Sequence, residues 1–157
     1  MTPPTVIGID PGQTGAVAIL HGTTGALIAV EDMPVIDKRI NAAALGDLLD
    51  PEIGAMVVVE AVHAMPKQGV SSSFNFGHSL GVIHGVIGAL ALPQCNVTPQ
   101  EWKKHHRLIG TAKGGSRQRA TELYPAHASL FARVKDDGRA DAVLIARWWI
   151  DTHGGVR

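Results

Sequence analysis

Cysteine, excess charge of one sign and long apolar runs are all scarce in this chain of 157 residues, and each scarcity excludes something. Cys95 is the single cysteine, so no disulfide can form within the chain; this fits a reducing compartment, and the thiol is expected to be buried and inert. Fourteen Lys plus Arg balance fourteen Asp plus Glu, so bulk basicity does not advertise nucleic acid. The most apolar long stretch, 77–92, is short for a membrane span and contains His78 and His84. No basic segment followed by an apolar core opens the chain, so no signal peptide is expected and the protein is expected to be soluble and cytoplasmic. A hydrophobic content of 45% over this length suits a single domain, 1–157, with a full core.

The charge that is present is unevenly placed. The first 60 residues carry acids almost alone, with Lys38 and Arg39 as the exceptions. Between 98 and 139 the balance reverses, nine Lys or Arg standing against four acids. That half is expected to carry a phosphate-facing surface on a neutral protein.

Val6, Ile7 and Ile9 read as a buried strand that ends in Asp10, and Pro11-Gly12 forces a turn into a second strand, Ala16 to Leu20. After the turn Gly22 to Gly25, Ala26 to Val30 completes an antiparallel meander. Residues 31–40 read as a loop. Asn41 caps a helix through Leu49. Ala55 to Val59 is a further core strand, and it ends in Glu60, at the strand edge where open α/β sheets build sites. The loop 61–73, with Pro66, Lys67, Gly69 and three serines, reads as a substrate-facing flap. Ser72 or Ser73 is expected to cap a helix from Phe74 to Leu92. Within that helix Gly77, Gly81 and Gly85 recur every four residues, with Gly88 three further on. Two readings stay open for these glycines: tight packing on the sheet, or close approach of a second subunit or a nucleic-acid backbone.

Gln94 to Val97 is a short strand. Thr98-Pro99 opens a helix with a capping-box Glu101, and it carries Trp102, Lys103, Lys104, His105, His106 and Arg107. Adjacent histidines diverge by about 100° on a helix, so His105-His106 reads as phosphate-facing or solvated rather than as a metal pair. Another helix follows Gly114-Gly115 and carries Arg117 and Arg119. The last helix, about Gly138 to Ile150, is apolar, and its Trp148 and Trp149 read as core or interface.

Asp137 and Asp141, four apart at the start of that last helix, share one face, and like charges there repel unless a cation lies between them. Asp136 stands beside them as an alternative to Asp137. With Asp10 and Glu60 they form a set of hard oxygen donors suited to Mg²⁺, with Mn²⁺ as substitute. Two such ions about 3.5–4 Å apart serve phosphodiester hydrolysis.

The order strand-strand-strand, helix, strand, helix, strand, helices resembles the ribonuclease H-like fold, a mixed α/β sheet flanked by helices. Within it the chain is similar to the RuvC-type Holliday junction resolvase family, and more narrowly to its phage and prophage members. The resemblance rests on Gly8-Ile-Asp10-Pro-Gly12, on Val57-Val-Val-Glu60, on the stretch Met65 to Gly77, on Trp102-Lys103-Lys104, on Lys113 and on Asp137 to Ala146. It implies a homodimer that nicks opposed strands of a four-way DNA junction with two Mg²⁺ per site and leaves 5′-phosphate and 3′-hydroxyl ends. Asp10, Glu60, Asp137 and Asp141 take the metal positions. Lys113 matches a lysine near the scissile phosphate, and Lys103 or Lys104 another. Lys67, Ser72, Ser73, Phe74, Arg117 and Arg119 are expected to contact DNA. The bacterial enzymes space the last two ligands three apart, where this chain has Gly138. They also place an aromatic probe three residues after the strand-end glutamate, where this chain has His63; His63 is expected to take the probe's place with weak sequence preference. Branched DNA other than the four-way junction, an RNA–DNA hybrid, or binding without cleavage are the alternatives. Asp-x-Gly-x-Thr-Gly also resembles the phosphate loop of actin-like ATPases and sugar kinases. Those proteins need two such domains, and no nucleotide cofactor is expected here.

Overall fold

The computed structural model describes residues 1–62 and 67–154. Three strands open the chain: β1 (Thr5–Asp10), β2 (Ala16–His21) and β3 (Leu27–Asp32). The expected loop 31–40 contains a small hairpin instead, β4 (Val35–Ile36) and β5 (Arg39–Ile40). Its turn uses Asp37 and Lys38 in the left-handed region, which Asp tolerates through its short polar side chain. Then follow α1 (Ala42–Leu49), β6 (Met56–Glu60), α2 (Val70–Ala89), β7 (Gln94–Val97), α3 (Pro99–His105), α4 (Gly115–Leu123), two 3₁₀ stretches at 125–131 and 134–136, and α5 (Asp137–His153).

The main sheet runs β3-β2-β1-β6-β7. β1, β2 and β3 pair antiparallel as the meander, while β6 lies parallel to β1 and β7 parallel to β6. Strand side chains alternate between faces, and both faces are buried. Ile7, Ile9, Val17, Val57 and Val59 pack under α1 and α2. Val6, Ala16, Ala18, Leu20 and Val58 pack under α3 and α5 with Trp102, Phe131, Leu144 and Ile145. Among the described residues no helix is long and apolar enough to cross a membrane.

Helix ends follow their caps. Asn41 Oδ1 accepts from Ala44 N–H at 3.2 Å at the start of α1, and Thr98 and Glu101 close a capping box on α3. The expectation for α2 fails at its start: the helix begins at Val70 with Gly69 as cap and no side-chain cap bond. Ser72 and Ser73 therefore lie inside its first turn, and they do not cap it. Ser79, Ile83 and Ile87 face the sheet. Gly77, Gly81, Gly85 and Gly88 lie on the outside, where an added Cβ would meet nothing within 4 Å. Tight packing on the sheet is thereby removed as the reason for them.

Candidate functional site

Period two decides where the first two carboxylates go. In β1 the even positions Val6, Gly8 and Asp10 face α5, and in β6 Val58 and Glu60 do the same. The strands are parallel and in register, Ile9 beside Val59, so the next residue of each, Asp10 and Glu60, ends its strand on one face at one edge. The third carboxylate comes from the helix laid across that face. A Cβ on Gly8 would stand 2.1 Å from the Ala142 carbonyl oxygen and 2.7 Å from the Ala146 nitrogen. Only glycine lets the α5 backbone come this close to β1, and the close approach sets Asp141 beside Asp10. Gly138 repeats the device: a Cβ there would lie 2.5 Å from the Thr14 carbonyl oxygen. The position three before Asp141 thus has room for no side chain.

The three carboxylates feel one another. Protein surrounds most of Asp10, and this desolvation, with repulsion from Asp141 and Glu60, raises its pKa well above the ordinary range. Burial raises Glu60 as well, opposed by a hydrogen bond from Trp102 and by the charge of Lys103. Burial pushes Asp141 up to about 6; the Ser116 hydroxyl works against that shift and the Glu60 charge adds to it. Three acids held this way at neutral pH are short of positive charge.

The donor set suits a hard divalent cation on a separate ground. Asp141 Oδ1 is buried and has no hydrogen-bond partner, and buried polar atoms are rarely left so. A cation would supply the missing partner to oxygens of the type Mg²⁺ takes. As they stand, no three ligating side chains among the described residues have closed around one point.

A cleft of about 280 Å³ opens beside these acids, lined by Lys103, Thr111, Lys113, Ser116, Asp137 and Asp141 among others. Lys103 and Lys113 therefore face the site together. Lys104 is exposed and lines none of the cleft. A larger hollow of about 500 Å³ lies on the other side of the same loop, with Arg107, Lys113, Arg117 and Arg119 on its walls.

Asp137 and its neighbours are arranged differently from the expected set. Asp137 is half exposed, and Arg117 Nε donates to its Oδ1 at 2.7 Å. Arg117 thus holds a carboxylate through its Nε–H while lining the basic hollow. Arg119 pairs with Glu122 at 3.2 Å, and its Nε is buried without a partner. Asp136 is fully buried: its Oδ2 accepts from Arg133 N–H at 2.8 Å and its Oδ1 from the Arg133 guanidinium at 2.9 Å. It fixes the entry to α5, and it does not line the cleft as Asp137 does. Ser72 lines a shallow hollow of about 300 Å³ with Gly12, Gln13, Thr14 and Phe76, next to the turn after Asp10. Lys67, Ser73 and Phe74 lie at or near the start of α2, and Phe74 is 67% exposed. His63 lies outside the described residues.

Two residues of the site carry no role in the sequence reading. Ser116 stands beside Asp141. Trp102, fully buried, donates its Nε1–H to Glu60 Oε2 at 2.6 Å. A buried indole must find a partner for its N–H; that was the available signal, but nothing in the sequence said which acceptor. His106 is also buried, its Nε2 2.7 Å from the Leu144 carbonyl, and desolvation holds its pKa down to about 4. It ties α3 to α5 as a neutral ring.

No protein-family model and no curated protein matches the sequence. Solved structures do. RuvC of Thermus thermophilus superposes with a TM-score of 0.64 at 18% identity, over 94% of this chain and 96% of that one. The same protein in complex with a Holliday junction substrate gives 0.64 at 17% identity, over 95% and 96%. The fowlpox virus resolvase in its complex with substrate Holliday junction DNA gives 0.54 at 16% identity, over 94% and 97%. Matches of this extent, with a mixed five-stranded sheet between helices, give this chain the ribonuclease H-like fold of the RuvC-type resolvases.

Proposed function

We propose that the protein is a Mg²⁺-dependent endonuclease for branched DNA, a crossover junction endodeoxyribonuclease that resolves Holliday junctions as a homodimer. One observation carries this: Asp10, Glu60 and Asp141 end up desolvated and within reach of one another's charge at one sheet edge, with an unpartnered Asp141 oxygen, beside a cleft that holds Lys103 and Lys113. The superposed structures that contain DNA are bound to four-way junctions, which is the reason to name that substrate first.

Asp10, Glu60 and Asp141 would hold the metal, with Asp137 at the cleft wall as a fourth donor once Arg117 lets go. Two divalent ions so held would supply an activated water and charge stabilisation at the leaving oxygen. The chain's own residues do the rest. Lys113 reaches the scissile phosphate from its loop, and Lys103 keeps a positive charge against the acids. Ser72, Phe74 and Lys67 bring the start of α2 to the DNA beside the turn 11–15, and His63 probes the crossover. The outer glycine face of α2, open to close approach and continued by the exposed Val70 and Phe74, is the dimer surface.

The test is one gel: equal amounts of four-way junction, flap, fork, RNA–DNA hybrid and duplex, each with Mg²⁺, Mn²⁺ or chelator. Paired nicks in the junction that vanish with chelator and in Asp10→Asn are expected. Junction binding without any nick would reduce the protein to a binder, and preferential cutting of another substrate would reassign it.

A further inference from the structure

We propose that Trp102 is a positioning residue for the metal site, its indole N–H fixing the Glu60 carboxylate in the orientation that binds a cation. This rests on the metal-dependent reading above and adds a residue to it.

The fold aims the indole at this one acceptor. Glu60 ends β6 beside Val97 of β7, and Ala61 N–H donates to the Val97 carbonyl at 2.8 Å. The chain then turns at Thr98 into α3, whose start is locked by the capping box and by Pro99. Trp102 falls one turn into that helix, on its buried side. Strand pairing holds Glu60 and the capped helix holds Trp102, so the 2.6 Å contact is built from both ends. Trp102 is wholly buried and Glu60 nearly so, and hydrogen bonds to a carboxylate in such surroundings are the strong ones.

The same contact solves a problem for the carboxylate. A glutamate with several rotatable bonds would sample many poses; one oxygen pinned by an N–H leaves the other, and the remaining lone pairs, aimed consistently. Partners of this kind orient metal ligands and are worth about 10- to 100-fold in metal affinity. The indole also spans two charges of the site: Lys103 Nζ lies 5.3 Å from the centroid of its ring, within cation–π range. A tryptophan kept only to fill the core would do as well with its N–H on a backbone carbonyl.

The full-length protein, freed of metal and without DNA, is titrated with Mn²⁺ and free ion is read by electron paramagnetic resonance. Trp102→Phe keeps the ring face and removes the donor; it should raise the Mn²⁺ Kd about tenfold. In a Glu60→Gln background the same substitution should add nothing. A second measurement leaves Trp102 in place. In ¹⁵N-labelled wild type the Trp102 indole resonance should move on Mg²⁺ titration while those of Trp148 and Trp149 stay still. Wild type that binds no Mn²⁺ overturns the metal reading and this inference with it. Wild type that binds Mn²⁺, with Trp102→Phe binding it equally and the Trp102 indole unmoved by Mg²⁺, overturns this inference alone.

Discussion

Arg117 Nε stands 2.7 Å from Asp137 Oδ1, while Asp141, one helical turn later, has a buried oxygen with no partner at all. The two aspartates share a helix and a cleft but not an electrostatic state. Asp137 is already paired with a guanidinium near solvent; Asp141 has no such partner. Asp141→Asn and Asp10→Asn are therefore expected to abolish cleavage with junction binding retained. Asp137→Asn should cost about tenfold, whereas Arg117→Ala releases Asp137 and should cost little by itself and add nothing in the double variant. Single-turnover rates of the four single variants and the double variant are the check. Additive losses from Asp137→Asn and Arg117→Ala would show that the two side chains act separately.

The charge state of the cluster predicts a stability effect of opposite sign to the usual one. Asp141 is pushed up from 3.8 to about 6 in the fold by burial. The folded protein thus holds that proton more tightly than the unfolded chain does. Stability should fall as pH rises from about 4 to about 6, then stay lower, by up to about 3 kcal/mol for this group alone. On the metal-dependent proposal Mg²⁺ would bind only the folded, ionised cluster and should recover the loss. At pH 8, Mg²⁺ should raise the melting temperature by several degrees, at about 2–4 °C per kcal/mol, and at pH 4.5 it should do little. Metal-free Asp141→Asn at pH 8 should melt above wild type. Equal Mg²⁺ shifts at the two pH values would remove the cluster as the binding site.

Much of this was written in the sequence, because it depends on local rules. Strand ends carry Asp10 and Glu60, and period two puts them on the same face; Asn41 and the Thr98–Glu101 box mark helix starts by short-range hydrogen bonds. What escaped depends on distant pairing. Asp136 and Asp137 are neighbours of the same type, and only the fold gives one to Arg133 and the other to Arg117. Lys103 and Lys104 were equivalent until α3 was laid against the sheet with Trp102 inward, which turns Lys103 to the acids. The start of α2 was missed because Gly69 offers the helix no side-chain cap to read. The closeness of α5 to β1 follows from Gly8 meeting the backbone of Ala142 and Ala146, a contact more than a hundred residues away in sequence.

Lys113 and Lys104 should separate catalysis from attachment. Lys113 sits on the loop between the two basic hollows and lines the cleft with Lys103, Asp137 and Asp141. Lys113→Ala should lower the cleavage rate at saturating junction by about 100-fold, with modest loss of affinity. Lys104 is exposed and off the cleft. Lys104→Ala should reduce the salt slope of binding by about one unit and leave the saturated rate alone. Rates at saturation and binding isotherms at several salt concentrations decide it. A Lys113→Ala protein that cuts at the wild-type rate once saturated would move Lys113 out of the chemistry.

Two glycines of the fold should respond to alanine with opposite signs. A methyl on Gly8 would have to share space with the Ala142 carbonyl oxygen and the Ala146 nitrogen. Both belong to a helix backbone that cannot yield without moving as a body. Gly8→Ala should therefore lift α5 off β1, at about 3 kcal/mol or more, the upper end for overpacking. Because α5 carries Asp141, the loss should extend to Mn²⁺ binding and to cleavage, well beyond what the fall in melting temperature explains. Gly81 faces open space on α2, where alanine favours the helix by about 1 kcal/mol. Gly81→Ala should raise the stability of the single chain and keep the metal site. If the outer face of α2 joins two subunits closely, Gly81→Leu should shift the sedimentation equilibrium towards monomer and halve the cutting into single nicks, with Mn²⁺ affinity per chain unchanged. Thermal melts, Mn²⁺ titration and sedimentation on the three variants are the measurement. Gly8→Ala with wild-type Mn²⁺ affinity would show that the close approach of α5 is not what brings Asp141 to Asp10.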